Sequence, residues 1–389
     1  MKMKHVSNAA EHVNAERLQD LFLDLAKINA PSTKEKLVAD YLKKALPELG
    51  FIIEFDEANK NFGGEVGNLI AFREGTDPSI PPLFFSTHMD TVLPTEGLKP
   101  VIKDGVIYSD GTTILGADDR AALAAYLEAV RAIIESGVPH GPIEFILTVN
   151  EQPGLVGATY MDYNKAKSKT GYIFDSSGDV GQIILKGPYS SRIWMEVEGN
   201  AAHIALNAEE GNNAILIAAE GLSNMRLGTI DEETLANIGI INGGNLTSII
   251  PGSMTVAGEV RSFSKEKLDQ QLKHMEEVMQ QAAEKNGGKV NVRMEKKYSG
   301  FDIPKDDMLV KTAETAAQSI KVNPYLTETL GGADTNVLNE NGLICLTLGL
   351  GFQNIHSFRE SISIENLINT GRLTAALIEQ WYVNHKKHS

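Results

Sequence analysis

The sequence predicts an α/β protein interrupted by an α+β domain, and three stretches carry that prediction. Up to about residue 187, apolar runs of strand length alternate with segments whose apolar residues recur at helical spacing, the pattern of an α/β layer fold. Between residues 188 and 298 the order becomes strand, helix, strand, strand, helix, strand, the ferredoxin-like unit. Helical periodicity at 311–319 and 364–382 then returns to the first domain. A chain of 389 residues also exceeds what one core usually organises. The expected division is a discontinuous domain of residues 1–187 and 299–389, with 188–298 inserted between hinges at Gly187-Pro188 and Ser299-Gly300.

Leu18, Leu21, Phe22, Leu25 and Ile28 mark a first helix. Ser32-Thr33-Lys34-Glu35 has the form of a capping box opening a second, which ends near Ala45, before Pro47. Runs at 82–87, 112–117, 143–149, 172–174 and 344–350 read as strands, and Leu123, Tyr126, Leu127, Val130 and Ile133 share one face of a helix over 121–134. Within the insertion, 192–198, 236–241, 253–261 and 289–294 read as strands and 212–227 as a helix. A long helix opens at Ser264, with Leu268, Leu272, Met275, Met279 and Ala282 in register.

Composition bounds the function. With 42% hydrophobic and 22% charged residues the chain is ordinary for a globular protein. A net charge of −15 argues against nucleic acid or anionic membrane as partner, since both need a positive field. The single cysteine, Cys345, sits in an apolar run and reads as core, so no disulfide framework is expected. Met1-Lys2-Met3-Lys4-His5 begins basic but leads into no apolar targeting segment, and no apolar stretch is long enough for a membrane span. A cytoplasmic protein is expected.

The five strand-like runs of the first domain share a property. They end on or lead to His88 and Asp90, Asp118 and Asp119, Glu151, Asp175, and His356, side chains that bind divalent metals or move protons. Ligands of open α/β sheets bind at the carboxyl ends of parallel strands, so these residues can converge into the site of a metal-dependent enzyme. Each has a plainer reading. His88 and Asp90 suit a hydrogen-bonded pair at a strand end; Asp118 and Asp119 suit a helix start, where the dipole favours carboxylates; Glu151-Gln152 before Pro153-Gly154 suits a solvated turn.

Four blocks in this order carry a family resemblance: Ser86-Thr87-His88-Met89-Asp90-Thr91-Val92, Ile114-Leu115-Gly116-Ala117-Asp118-Asp119-Arg120-Ala121-Ala122, Thr148-Val149-Asn150-Glu151-Gln152-Pro153-Gly154-Leu155-Val156-Gly157-Ala158 and Asn354-Ile355-His356. Together they resemble the peptidase T-like branch of the di-zinc aminoacylase and carboxypeptidase family, over residues 15–382. The resemblance implies a zinc-exopeptidase-like catalytic domain, its mixed sheet flanked by helices, and an inserted lid through which the chain forms a homodimer. It implies one zinc ion on His88 and Asp175 and a second on His356, with Asp118 bridging and cobalt or manganese as substitutes. It further implies a cis peptide after Asp118, Asp90 orienting His88, and Glu151 as the base that moves a proton from water to the leaving amine.

In the lid, Gly199-Asn200-Ala201-Ala202-His203 resembles the segment whose histidine reaches a neighbouring subunit's site, and Arg261 matches an arginine that binds a substrate carboxylate. Gly331-Gly332-Ala333-Asp334 resembles a pocket-lining loop, although a turn with an Asp helix cap explains it equally. Several positions depart from the family pattern, among them Pro153, Arg120 in place of lysine and the Ser357-Phe358-Arg359-Glu360 segment, and two bear directly on binding. Gln152 stands where a second glutamate would bind the second ion, and Ser248 stands where asparagine is usual. The expected activity is hydrolysis of short peptides by an aminopeptidase. A deacylase or carboxypeptidase for N-acyl amino acids is the alternative within enzymes, and a catalytically weakened peptide- or amino-acid-binding protein is the alternative outside them.

Overall fold

The structure is a computed structural model that describes residues 7–388, so the basic opening stretch Met1 to His5 lies outside the described residues. The principal strands, in chain order, are β1 (Ile52–Phe55), β2 (Leu69–Arg73), β3 (Leu83–His88), β4 (Ile143–Thr148), β5 (Thr170–Phe174), β6 (Gln182–Gly187), β7 (Tyr189–Glu198), β8 (Thr234–Gly243), β9 (Ser253–Ser262), β10 (Lys289–Tyr298) and β11 (Ile344–Leu348). Their contacts divide the chain into two compact units. One comprises the chain up to Leu185, Ile303–Glu328 and the chain from Ala333; the other comprises Lys186–Asp302 and Thr329–Gly332.

The first unit holds a mixed sheet in the order β1-β2-β4-β3-β5-β11-β6. Its middle is parallel, with β3 against both β4 and β5 and β5 against β11, while β2 and β6 join antiparallel. Strands β3 and β4 are buried along their whole length, which is why they read as continuous apolar runs rather than alternating ones. Helix Ala117–Ser136 packs on Ala15–Ala26 and Ile364–His388. On it, Tyr126 lies among Phe85, Phe145 and Phe174, with ring centroids 5.4, 5.7 and 6.0 Å away. Its hydroxyl donates to the Ser86 carbonyl at 2.7 Å and accepts from the Phe174 amide at 3.1 Å, which fixes this helix against the ends of β3 and β5. Among the described residues no helix is long and apolar enough to cross a membrane.

Two local expectations fail. Residues 112–117 form no strand but a bend and loop running into the helix, its apolar residues buried by packing rather than by pairing. Ser32-Thr33-Lys34-Glu35 is no capping box either. Helix Lys36–Glu48 opens without a side-chain cap and continues past Pro47, while Ser32 and Glu35 bond elsewhere.

The second unit carries β8-β9-β7-β10 as an antiparallel sheet, the spatial order of a ferredoxin-like unit. Helices Ala214–Asn224 and Lys265–Lys285 cover one face, where Ile193, Met195, Val197, Val256 and Val260 meet Ile217, Leu268, Leu272, Met275 and Met279. Ser264 caps the long helix through the Lys267 amide.

Candidate metal centre

Four neighbouring parallel strands, β4, β3, β5 and β11, send their carboxyl ends to one edge of the sheet, which carries Glu151, His88, Asp175 and the loop to His356. Asp118 enters from the start of the Ala117–Ser136 helix, where Asp118 and Asp119 have non-helical dihedrals and their peptide bond is cis. Glu360 holds that backbone: one carboxylate oxygen accepts from the Gly116 amide at 2.7 Å, the other from Asp118 at 2.9 Å.

Asp118 is the hub. Its Oδ1 lies 2.9 Å from His88 Nε2, and its Oδ2 lies 3.0 Å from both His356 Nε2 and the Gln152 amide nitrogen. One ligand atom each from His88, Asp118 and Asp175 lie within 4.8 Å of one another. His88 is buried, Asp175 is half-buried and His356 keeps 48% of its side chain exposed. Asn150 and His356 both adopt left-handed backbone, at φ 52° and 60°, a region that few non-glycine residues enter and that asparagine and histidine enter more readily than most.

Asp90 contacts more than the histidine. His88 Nδ1 lies 2.9 Å from the Asp90 backbone carbonyl and 3.4 Å from its carboxylate. That carboxylate also accepts the Glu151 amide at 3.0 Å, the Gln152 amide at 3.2 Å and the Ser32 hydroxyl at 2.5 Å. Thr87 donates to Asp119 and Thr148 to Asp334, each at 2.5 Å. Asp334 is the first residue of its helix rather than the cap, so the helix-cap explanation of that aspartate does not hold. Ser32, Glu35, Thr87, Thr148 and Glu360 were not legible as parts of this centre, because each bonds to residues distant in sequence.

The electrostatics are those of a site with excess negative charge. Burial pushes Asp175 up to about 7, with Asp118 adding to it against His88. Burial likewise raises Glu151; His88 opposes this, and Asp175, Asp334 and Asp90 reinforce it. Burial opposes ionisation of Asp118 too, but hydrogen bonds from His356 and His88 win and hold it well below the usual carboxylate range. Imidazole nitrogen, carboxylate oxygen and an amide whose oxygen comes into reach by rotation form a donor set for hard-to-borderline divalent ions. These residues fit two ions sharing Asp118.

The remaining candidates lie in the second unit. His203 pairs across from Ile249, and its Nδ1 accepts the Ala205 amide at 3.2 Å. Arg261 donates through Nε to Glu259 at 2.7 Å and through Nη1 to the Leu330 carbonyl at 3.1 Å. The Ser248 carbonyl accepts the Ile204 amide at 3.1 Å. Gly331 donates to Thr329, and Gly332 lies so close to the Tyr298 ring that a side chain would overlap it.

Side chains able to bind a metal, gathered around Asp118 at the ends of parallel strands, are an arrangement that suits a metal-dependent hydrolase. The sequence matches peptidase family M20/M25/M40 over residues 84–380, and the chain belongs to that family as a metallopeptidase. It is 38% identical over 368 residues to the uncharacterized protein YqjE of Bacillus subtilis, covering 95% of this chain and 99% of that one. In structure it is similar to aminopeptidase PepT of Bacillus cereus, at 39% identity and TM-score 0.88, covering 95% and 100% of the two chains. It is also similar to a tripeptidase of Staphylococcus aureus, at 37% identity and TM-score 0.90, covering 94% and 98%.

Proposed function

We propose that this M20 metallopeptidase is an aminopeptidase of short peptides, with His88, Asp175 and the shared Asp118 as ligands of one ion and Asp118, His356 and Gln152 as ligands of a second. The observation that carries this reading is the shared carboxylate, with His88 2.9 Å from one oxygen and His356 3.0 Å from the other. Similarity to an aminopeptidase and a tripeptidase supports the substrate class. Zinc is the first expectation for this donor set. Ions bound there would supply Lewis acidity toward the peptide carbonyl and toward water.

Glu151 is the general base in this reading. Its raised pKa suits a carboxylate that must both take a proton from the attacking water and return it to the leaving amine. Residues 188–298 act as lid and dimerisation domain, an assignment supported by the exposed Ile204, Leu206, Leu216, Ile240, Ile241 and Leu246. Because His203 Nδ1 accepts the Ala205 amide, the neutral ring carries its proton on Nε2, the donor form needed to stabilise an oxyanion in a partner subunit. Arg261 receives the substrate carboxylate, and Ser248, Gly331 and Gly332 line the peptide. The reaction belongs to the cytoplasm, for which the single buried Cys345 is suited.

The test is metal content per chain together with turnover of di- and tripeptides, C-terminal peptide amides and N-acyl amino acids under zinc, cobalt or manganese. The reading expects two ions per chain and release of the N-terminal residue, with Glu151→Gln inactive. Turnover of N-acyl amino acids alone would make the enzyme a deacylase. Peptide binding without turnover under any metal would leave a binding protein.

A further inference from the structure

The segment before helix Lys36–Glu48 is fastened to the metal centre from outside. Pro31 bridges Thr91, the Ser32 amide donates to the Thr91 carbonyl at 3.3 Å, and the Thr91 amide donates to the Ala30 carbonyl at 3.0 Å. These contacts attach it to the chain leaving β3. Glu35, fully buried, attaches it to the chain leaving β4: its Oε1 accepts the Asn150 amide at 3.0 Å and the Thr33 amide at 2.8 Å. Both donors, Asn150 and Thr33, sit in left-handed backbone, at φ 52° and 72°. One carboxylate oxygen therefore accepts from two residues in the left-handed region, which asparagine tolerates and the β-branched Thr33 rarely adopts. Ser32 completes the brace by donating to Asp90 Oδ2 at 2.5 Å, the oxygen that also accepts the Gln152 amide, while Asp90 Oδ1 accepts the Glu151 amide.

We propose that Glu35 and Ser32 are positioning residues for the hydrolytic reaction: Glu35 fixes the Asn150-Glu151-Gln152 turn directly, and Ser32 fixes the Asp90 carboxylate on which that turn rests. The inference depends on reading Glu151 as base and Gln152 as a ligand of the second ion. A helix cap would need only local contacts, and helix Lys36–Glu48 has no side-chain cap. The serine and glutamate instead span two strand-end loops more than fifty residues apart in sequence. Such outer partners set the orientation of groups that touch the ion, and losing one typically costs roughly 10 to 100-fold in metal affinity or activity.

The test is zinc titration of the full-length protein against a fluorescent chelator, with kcat and KM for a tripeptide and a thermal melt to verify folding. Glu35→Ala is expected to weaken the second ion by roughly 10-fold or more and to lower kcat, with KM changed by less than about 3-fold. Glu35→Gln, whose amide oxygen still accepts both amides, should return both quantities to within about 3-fold of the parent, and Ser32→Ala should fall between. A folded Glu35→Ala protein with parental second-ion affinity would overturn the proposal, and so would equal losses in Glu35→Gln and Glu35→Ala. If Glu35→Ala does not fold, Ser32→Ala decides: weaker second-ion binding supports the brace, parental binding overturns it. If the parent cleaves no peptide, the functional reading falls while the zinc titration still decides the brace.

Discussion

In the proposed reading, the difference between an amide and a carboxylate at position 152 sets how tightly the second ion binds. Gln152 lies on the turn that follows Glu151, and its amide nitrogen donates to Asp118 Oδ2 at 3.0 Å. To bind an ion it must rotate its oxygen inward and give up that hydrogen bond, and it brings no negative charge. Gln152→Glu removes the donor and adds a charge beside Asp118. The second ion should then bind roughly 10 to 100-fold more tightly. Calorimetric zinc titration checks this, and unchanged affinity and stoichiometry would show that residue 152 is not a ligand. His88, Asp90, Glu151, Asp175 and His356 were legible because each follows or approaches the end of a recognisable apolar run. Glu360 was not, because its role, accepting the Gly116 and Asp118 amides, depends on a contact spanning more than two hundred residues. Ser32 and Glu35 carried a local motif that pointed to a helix cap, but Ser32 turns to Asp90 and Glu35 divides its oxygen between the nearby Thr33 amide and the distant Asn150 amide.

The central parallel strands were legible because burial and pairing coincide in them, whereas β2 and β6, which join antiparallel, were not read as strands. Strands β3, β4, β5 and β11 are buried because they are central and parallel, so an apolar run and a strand were the same signal. At 112–117 the signal misled: Ile114, Leu115 and Ala117 are buried in a segment with no ladder partner. Just beyond Glu151, a glycine sets how closely the chain can return to β4. A Cβ on Gly157 would come within 2.0 Å of the Val149 carbonyl oxygen and 2.8 Å of the Val149 nitrogen, backbone that cannot swing aside. Asn68 ties the same two places, accepting the Val149 amide at 3.0 Å and donating to the Gly157 carbonyl at 2.9 Å. Gly157→Ala should therefore cost about 1–3 kcal/mol of unfolding free energy by overpacking. It should also lower kcat, since the displaced backbone leads directly into Asn150-Glu151-Gln152. Urea denaturation at fixed zinc, with tripeptide kinetics, measures both. An unchanged midpoint would mean that the loop yields without strain.

For the whole molecule, the balance of charge links stability to occupancy of the site. Burial pushes Glu35, Asp175 and Glu360 up to about 7 and Asp334 up to about 6. In the unfolded chain these groups titrate near about 4. Each folded value is raised, so the stability these groups contribute is complete below about pH 4 and is lost as pH rises through about 6 to 7. Half-buried surface carboxylates such as Asp77, lowered to about 2 by hydrogen bonds from Lys386 and Ser79, act in the opposite sense only at strongly acidic pH. The ion-free protein should therefore melt at a lower temperature at pH 8 than at pH 5.5. A divalent ion replaces the missing protons as the counter-charge, so zinc should raise the melting temperature more at pH 8 than at pH 5.5. At a hundred times its dissociation constant an ion adds about 2.7 kcal/mol, which at about 2–4 °C per kcal/mol for large domains is a shift of roughly 5–10 °C. Differential scanning calorimetry of chelator-treated and zinc-loaded protein at the two pH values tests the linkage. An ion-free melting temperature that holds or rises from pH 5.5 to 8, or a zinc shift equal at both, would show that the buried carboxylates around Asp118 do not govern the stability of the fold.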